Sequence, residues 1–100
     1  MSVVIVGGNE CMERRYKDIC QSYQCRAKVF TRMRDGIRDK IGAPDLLVLF
    51  TGTTSHKMVQ LALSETDTAL TTVVRSHSSS ASALKNILDT YVLPAQGAKE

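Results

Sequence analysis

Two stretches of this chain gather the side chains that could do chemistry. Thr51-Gly52-Thr53-Thr54-Ser55-His56-Lys57 carries one of its two histidines, and Ser76-His77-Ser78-Ser79-Ser80 carries the other. A histidine of ordinary acidity is a candidate general acid or base, metal or haem ligand, or anion partner. Thr54 or Ser55 is placed to cap a helix, which sets His56 and Lys57 in its first turn. Cations there oppose the helix dipole, at a cost of roughly 0.3–1 kcal/mol each. An anion held between the helix N-terminus and these two side chains would turn that cost into a gain. The serine run offers hydroxyls and free backbone N–H groups at a second helix start, which again suits an oxyanion. Its plainer role is to cap that helix.

A third loop, Gly7-Gly8-Asn9, opens the first helix. Paired glycines let the backbone turn sharply and approach a ligand, and Asn9 is a good N-cap. Nucleotide motifs are missing: the dinucleotide fingerprint lacks its third glycine, no acidic residue ends the second strand, and there is no Walker A sequence. Arg15 stands four residues after Cys11 and four before Ile19. There it would face the sheet near the helix start, where its guanidinium could grip a carboxylate or phosphate. Cys11 shares that first turn, where the dipole and a neighbouring arginine would favour a reactive thiol, but a small buried residue is the simpler expectation. Serine hydrolase chemistry is disfavoured, because no Gly-x-Ser-x-Gly elbow exists and no acid is placed to orient either histidine.

Short apolar runs must position these loops. Val3-Val4-Ile5-Val6, Ala27-Lys28-Val29-Phe30, Leu46-Leu47-Val48-Leu49-Phe50 and Thr72-Val73-Val74-Arg75 read as strands. Helical spacing fills the gaps. Met12, Tyr16, Ile19, Cys20 and Tyr23 share a face between Asn9 and Gln24; Met33, Ile37 and Ile41 share another, stopped by Gly42 and Pro44. Met58, Val59, Leu61, Ala62 and Leu63 lie between Ser55 and Ser64, and Leu84, Ile87, Leu88 and Tyr91 lie between Ser80 and Tyr91.

The order βαβαβαβα predicts an α/β fold, a small Rossmann-like or flavodoxin-like three-layer sandwich on a four-stranded parallel sheet. The third strand, apolar throughout, should be central and covered on both faces, and the strand order should be 2-1-3-4. Parallel strands would then bring all three loops to the carboxyl edge, where open α/β sheets hold ligands. We expect one domain over residues 1–93 and a tail over 94–100.

Composition narrows the partners. At 100 residues the chain has one core and much surface, so a homodimer is a natural supplement. A net charge of +3 is mild, and the basic residues at 14–17 and 32–40 are interleaved with acids. Few aromatics accompany them, which argues against a nucleic-acid partner. No apolar stretch reaches the ~20 residues that cross a bilayer, and no leader precedes the first strand, so a cytoplasmic protein with no membrane partner is expected. Cys11, Cys20 and Cys25 match no zinc pattern and are expected as reduced thiols.

The chain resembles a bacterial family, Domain of Unknown Function family 2325. The shared motifs are Val6-Gly7-Gly8, Ser55-His56, and Ser78-Ser79-Ser80 followed by Ser82 and Leu84. The resemblance spans nearly the whole chain and implies a small α/β domain. Two departures stand out: Phe30-Thr31-Arg32-Met33 replaces a His-Asp-Gly-Gly-like segment, and Gln60 to Ser64 holds no lysine.

The function expected first is a binding or sensing module for a small polar or anionic molecule, with its site at the carboxyl edge of the sheet, where a dimer interface is one expected setting. Its candidate residues are Gly7, Gly8, Asn9, Arg15, Thr51, Ser55, His56, Lys57, His77, Ser78, Ser79 and Ser80. The alternatives are a haem-, metal- or dioxygen-binding protein with His56 or His77 as ligand, a phosphoryl- or acyl-transfer enzyme with His56 as acid/base and Lys57 stabilising charge, and an interaction scaffold.

Overall fold

β-branched and aliphatic runs, too short for helices and bounded by glycine, threonine and serine, form four strands. They are β1 (Ser2–Gly7), β2 (Arg26–Phe30), β3 (Leu46–Phe50) and β4 (Thr72–Ser76). The structure, a computed structural model, describes residues 2–31, 42, 44–66 and 69–92. The helix expected near 33–41 and the tail expected over 94–100 lie outside those residues. All pairings are parallel, in the order β2-β1-β3-β4. This is the order that the strand patterns predict.

A 3-10 turn, Glu10–Met12, leads into α1 (Glu13–Ser22), and two further helices, α2 (His56–Ser64) and α3 (Ala81–Tyr91), follow β3 and β4. Side chains alternate across each strand, so the sheet feeds two cores. Val3, Ile5, Val48 and Phe50 point to α1 and α3, where Tyr16, Ile19, Leu84 and Leu88 cover them. Val4, Val6, Leu47 and Leu49 point to α2, against Met58 and Ala62. Each such aliphatic side chain contributes about 1.5–3 kcal/mol by leaving water. Every residue of β3 is buried, as an all-apolar central strand requires.

The crossovers run outward in opposite directions, from β1 to β2 and from β3 to β4. Right-handed connections therefore put α1 and α2 on opposite faces and make the β1–β3 seam the point where the strand order reverses. At the other end of the sheet order, β4 is an edge strand with Val73 and Val74 half-buried and Thr72 and Arg75 exposed. Leu70, just before it, is 79% exposed. Among the described residues no helix is long and apolar enough to cross a membrane.

All three cysteines are free thiols; Cys20 and Cys25 are buried, whereas Cys11 is exposed. The expectation of a buried Cys11 fails because it sits on the 3-10 turn, none of whose residues is buried. Burial pushes the Cys20 thiol up to about 12, helped by the neighbouring Cys25, and raises Cys25 as well. Both therefore stay protonated and inert in the native state. Iodoacetamide at mildly alkaline pH should label only Cys11 in folded protein and all three in denaturant, read by intact mass. Rapid native labelling of Cys20 would contradict the α1 packing.

Candidate functional site

The three predicted loops share the carboxyl edge and are knitted together there. The Gly8 N–H donates to Thr53 Oγ1 at 2.8 Å, and the Thr51 N–H to the Ser76 carbonyl at 2.8 Å. Gly52 lies directly under the Ser76–Ser80 loop. A Cβ on it would stand 2.3 Å from the His77 carbonyl oxygen.

Tyr16 of α1 fills the seam between β1 and β3. It is fully buried, its ring centroid lies 5.4 Å from that of Phe50, and its hydroxyl donates to the Ser79 carbonyl at 2.6 Å. Gly8 rests on this ring with φ +88°, and a Cβ there would meet Cε2 at 2.7 Å. The glycine pair thus lets the backbone approach a side chain of its own protein, where open α/β sheets often admit a ligand.

The serine run is occupied in a similar way. Ser80 caps α3 by accepting from the Ala83 N–H at 3.1 Å, and the Ser78 hydroxyl donates to Ser80 Oγ at 3.2 Å. The Ser76 hydroxyl donates to the Ser78 carbonyl at 2.8 Å. Asn9 caps the 3-10 turn through the Cys11 N–H at 3.0 Å. Arg15 is exposed, because the sheet-facing position of that turn belongs to its neighbour Tyr16. His77 and Lys57 are exposed as well.

An open groove remains on the α2 side of the rim, between α2 and the edge strand β4. It encloses about 530 Å³ and is walled by Thr51, Thr54, His56, Gln60 and Arg75, with Val59 and Leu63 deeper along the helix. That volume is in the range of small-molecule sites, ~300–1,000 Å³. Ser55 caps α2 by accepting from the Met58 N–H at 3.2 Å. The first N–H groups of the helix have no intrahelical acceptor and point out of its N-terminus beside the groove.

His56, Val59, Gln60 and Leu63 follow the helical spacing that lines one face. Lys57, about 100° further round the helix, is not part of the wall. The Gln60 amide lies 3.0 Å from His56 Nε2. With the amide N–H donating, Nδ1 is left as the donor of the ring. Thr54 Oγ1 is buried and has no hydrogen-bond partner among the described residues. Leaving such a hydroxyl unsatisfied costs about 1–3 kcal/mol.

Of the residues expected from the sequence, Thr51 and His56 line this groove and Ser55 caps its helix, whereas Gly7, Gly8, Asn9, Lys57, His77, Ser78, Ser79 and Ser80 are not part of its wall and Arg15 is exposed on α1. Arg75 was missed as a site residue. The sequence pattern marks it as the end of a strand and the start of the serine loop, yet strand alternation puts it on the same face as Val73, towards α2. Among the described residues no acidic side chain lines the groove, and no three His, Cys, Asp or Glu groups converge to hold a metal ion.

Comparison with known proteins agrees with the motifs. The bacterial family described as "Uncharacterized protein conserved in bacteria (DUF2325)" matches residues 2–91. No curated protein and no solved structure gives a match.

Proposed function

The chain belongs to that bacterial family, whose description names no activity, and on this premise we propose that it is a binding module for a small anion. The anion sits in the groove between α2 and β4, where the Arg75 guanidinium, the His56 ring and the α2 N-terminus converge and, among the described residues, no carboxylate lines the wall. That convergence carries the reading. Arg75 supplies planar charged donors, His56 a ring donor, and the helix end a partial positive charge. Binding is favoured over turnover because the partner of His56 is the neutral amide of Gln60. An amide gives the imidazolium of a general base no charge stabilisation. The module works in the cytoplasm, consistent with its free thiols. It pairs as a homodimer, a role for which the open edge of β4 is suited.

Inorganic phosphate and acetate are the first probes. Each, titrated to millimolar levels, should shift the NMR signals of the His56 ring, the Gln60 amide and the Arg75 side chain in one saturable curve. His56→Gln should weaken binding about tenfold, the order expected for one hydrogen bond to a charged group. The absence of saturable shifts at these residues with both anions would remove the reading. A haem or metal function would instead give bound iron in purified protein.

A further inference from the structure

We infer that the groove is built for an amphipathic carboxylate, with its head at Arg75 and His56 and a short acyl or aryl tail running down β4. This rests on the anion reading above and adds the class of ligand.

The groove does not end at the cationic rim. A second open cavity of about 460 Å³ continues it, lined by Leu63, Thr71, Val73 and Arg75. Arg75 and Leu63 line both cavities, so the two are one trough. Its polarity changes along its length. Down α2 the wall runs from His56 through Val59 to Leu63; along β4, in the reverse chain direction, it runs from Arg75 through Val73 to Thr71. The carboxyl end therefore holds the cation and the ring donor, and the amino end holds branched aliphatic side chains.

The polar atom at the far end is already engaged. The Thr71 hydroxyl donates to the Pro44 carbonyl at 2.6 Å. A second charged or hydroxylated group on the ligand would find no described donor to meet it there. Charge complementarity thus fixes one end of the occupant and aliphatic surface fixes the other. A bare inorganic anion uses only the first. A compact polyanion would bring charge against Leu63 and Val73 without a partner, an uncompensated desolvation cost.

The experiment is a homologous series on the intact protein: acetate, butyrate and hexanoate, by NMR titration with methyl-labelled leucine and valine. A fully buried methylene is worth about a fourfold gain in affinity, so a half-open trough should give about twofold per methylene. Hexanoate should then bind about 15-fold tighter than acetate. It should shift the Val59, Leu63 and Val73 methyls, which acetate leaves in place. Leu63→Asn should flatten the dependence on chain length.

A flat series in the wild-type protein, with acetate still bound at Arg75, overturns this inference and leaves the anion reading standing. Hexanoate shifts confined to other methyls overturn it too. If neither acetate nor phosphate perturbs Arg75 and His56, the anion reading itself falls and takes this one with it. The wild-type series decides between these outcomes even if the Leu63 variant fails to fold.

Discussion

Gly8→Ala should destabilise the fold by about 3 kcal/mol, seen as a lower urea midpoint at unchanged m-value and a melting temperature reduced by roughly 10–20 °C. Two costs add. At φ +88° an L-residue is strained, by about 1–2 kcal/mol. The new methyl would also lie 2.7 Å from Tyr16 Cε2. Overpacking of that kind costs about 1–3 kcal/mol when the neighbour cannot withdraw. Tyr16 is held on both sides: its ring lies against Phe50, and its hydroxyl is tied to the Ser79 carbonyl. The two costs can be separated. In a Tyr16→Leu background the ring is gone, and Gly8→Ala should cost only the backbone strain. The pair should therefore be non-additive by more than about 1 kcal/mol. Additive effects would show that Tyr16 does not fill the seam, and the seam would again be open to a ligand.

This result separates what the sequence could show from what it could not. The β3 run Leu46–Phe50 has no polar position, so only a central strand buried on both faces suits it; the observed order β2-β1-β3-β4 is the flavodoxin-like one among several that keep β3 inside. The caps at Asn9, Ser55 and Ser80 were equally legible, because each is a local contact spanning two or three residues. Gly7-Gly8 was ambiguous for a physical reason. A left-handed glycine reads the same whether the backbone approaches a ligand or a tyrosine eight residues on. Only the crossover geometry of α1 shows which.

The serine run was ambiguous in a similar way, since hydroxyls free to hold an oxyanion and hydroxyls bonded to one another have the same sequence. Arg75 was hidden differently. Its role depends on α2 leaving β4 partly uncovered, a property of two elements separated by the 65–71 connection.

Charge reversal at Arg75 gives the largest expected effect on binding. Arg75→Glu should weaken acetate or phosphate binding at least 100-fold, because it removes a charge-assisted pair and sets a like charge against the ligand. The side chain is exposed on an edge strand, so stability should change by less than about 0.5 kcal/mol. The affinity loss would then be a property of the site and not of the fold. Lys57→Ala is the discriminating partner. The sequence alone set Lys57 beside His56 as the second cation, whereas in the structure it stands in the first turn of α2 but outside the groove wall. Its loss should weaken binding no more than about threefold, through long-range attraction that added salt screens. If Lys57→Ala proved as costly as Arg75→Glu, the anion would sit on the helix end, as the local sequence pattern suggests, and the groove along β4 would not be its site.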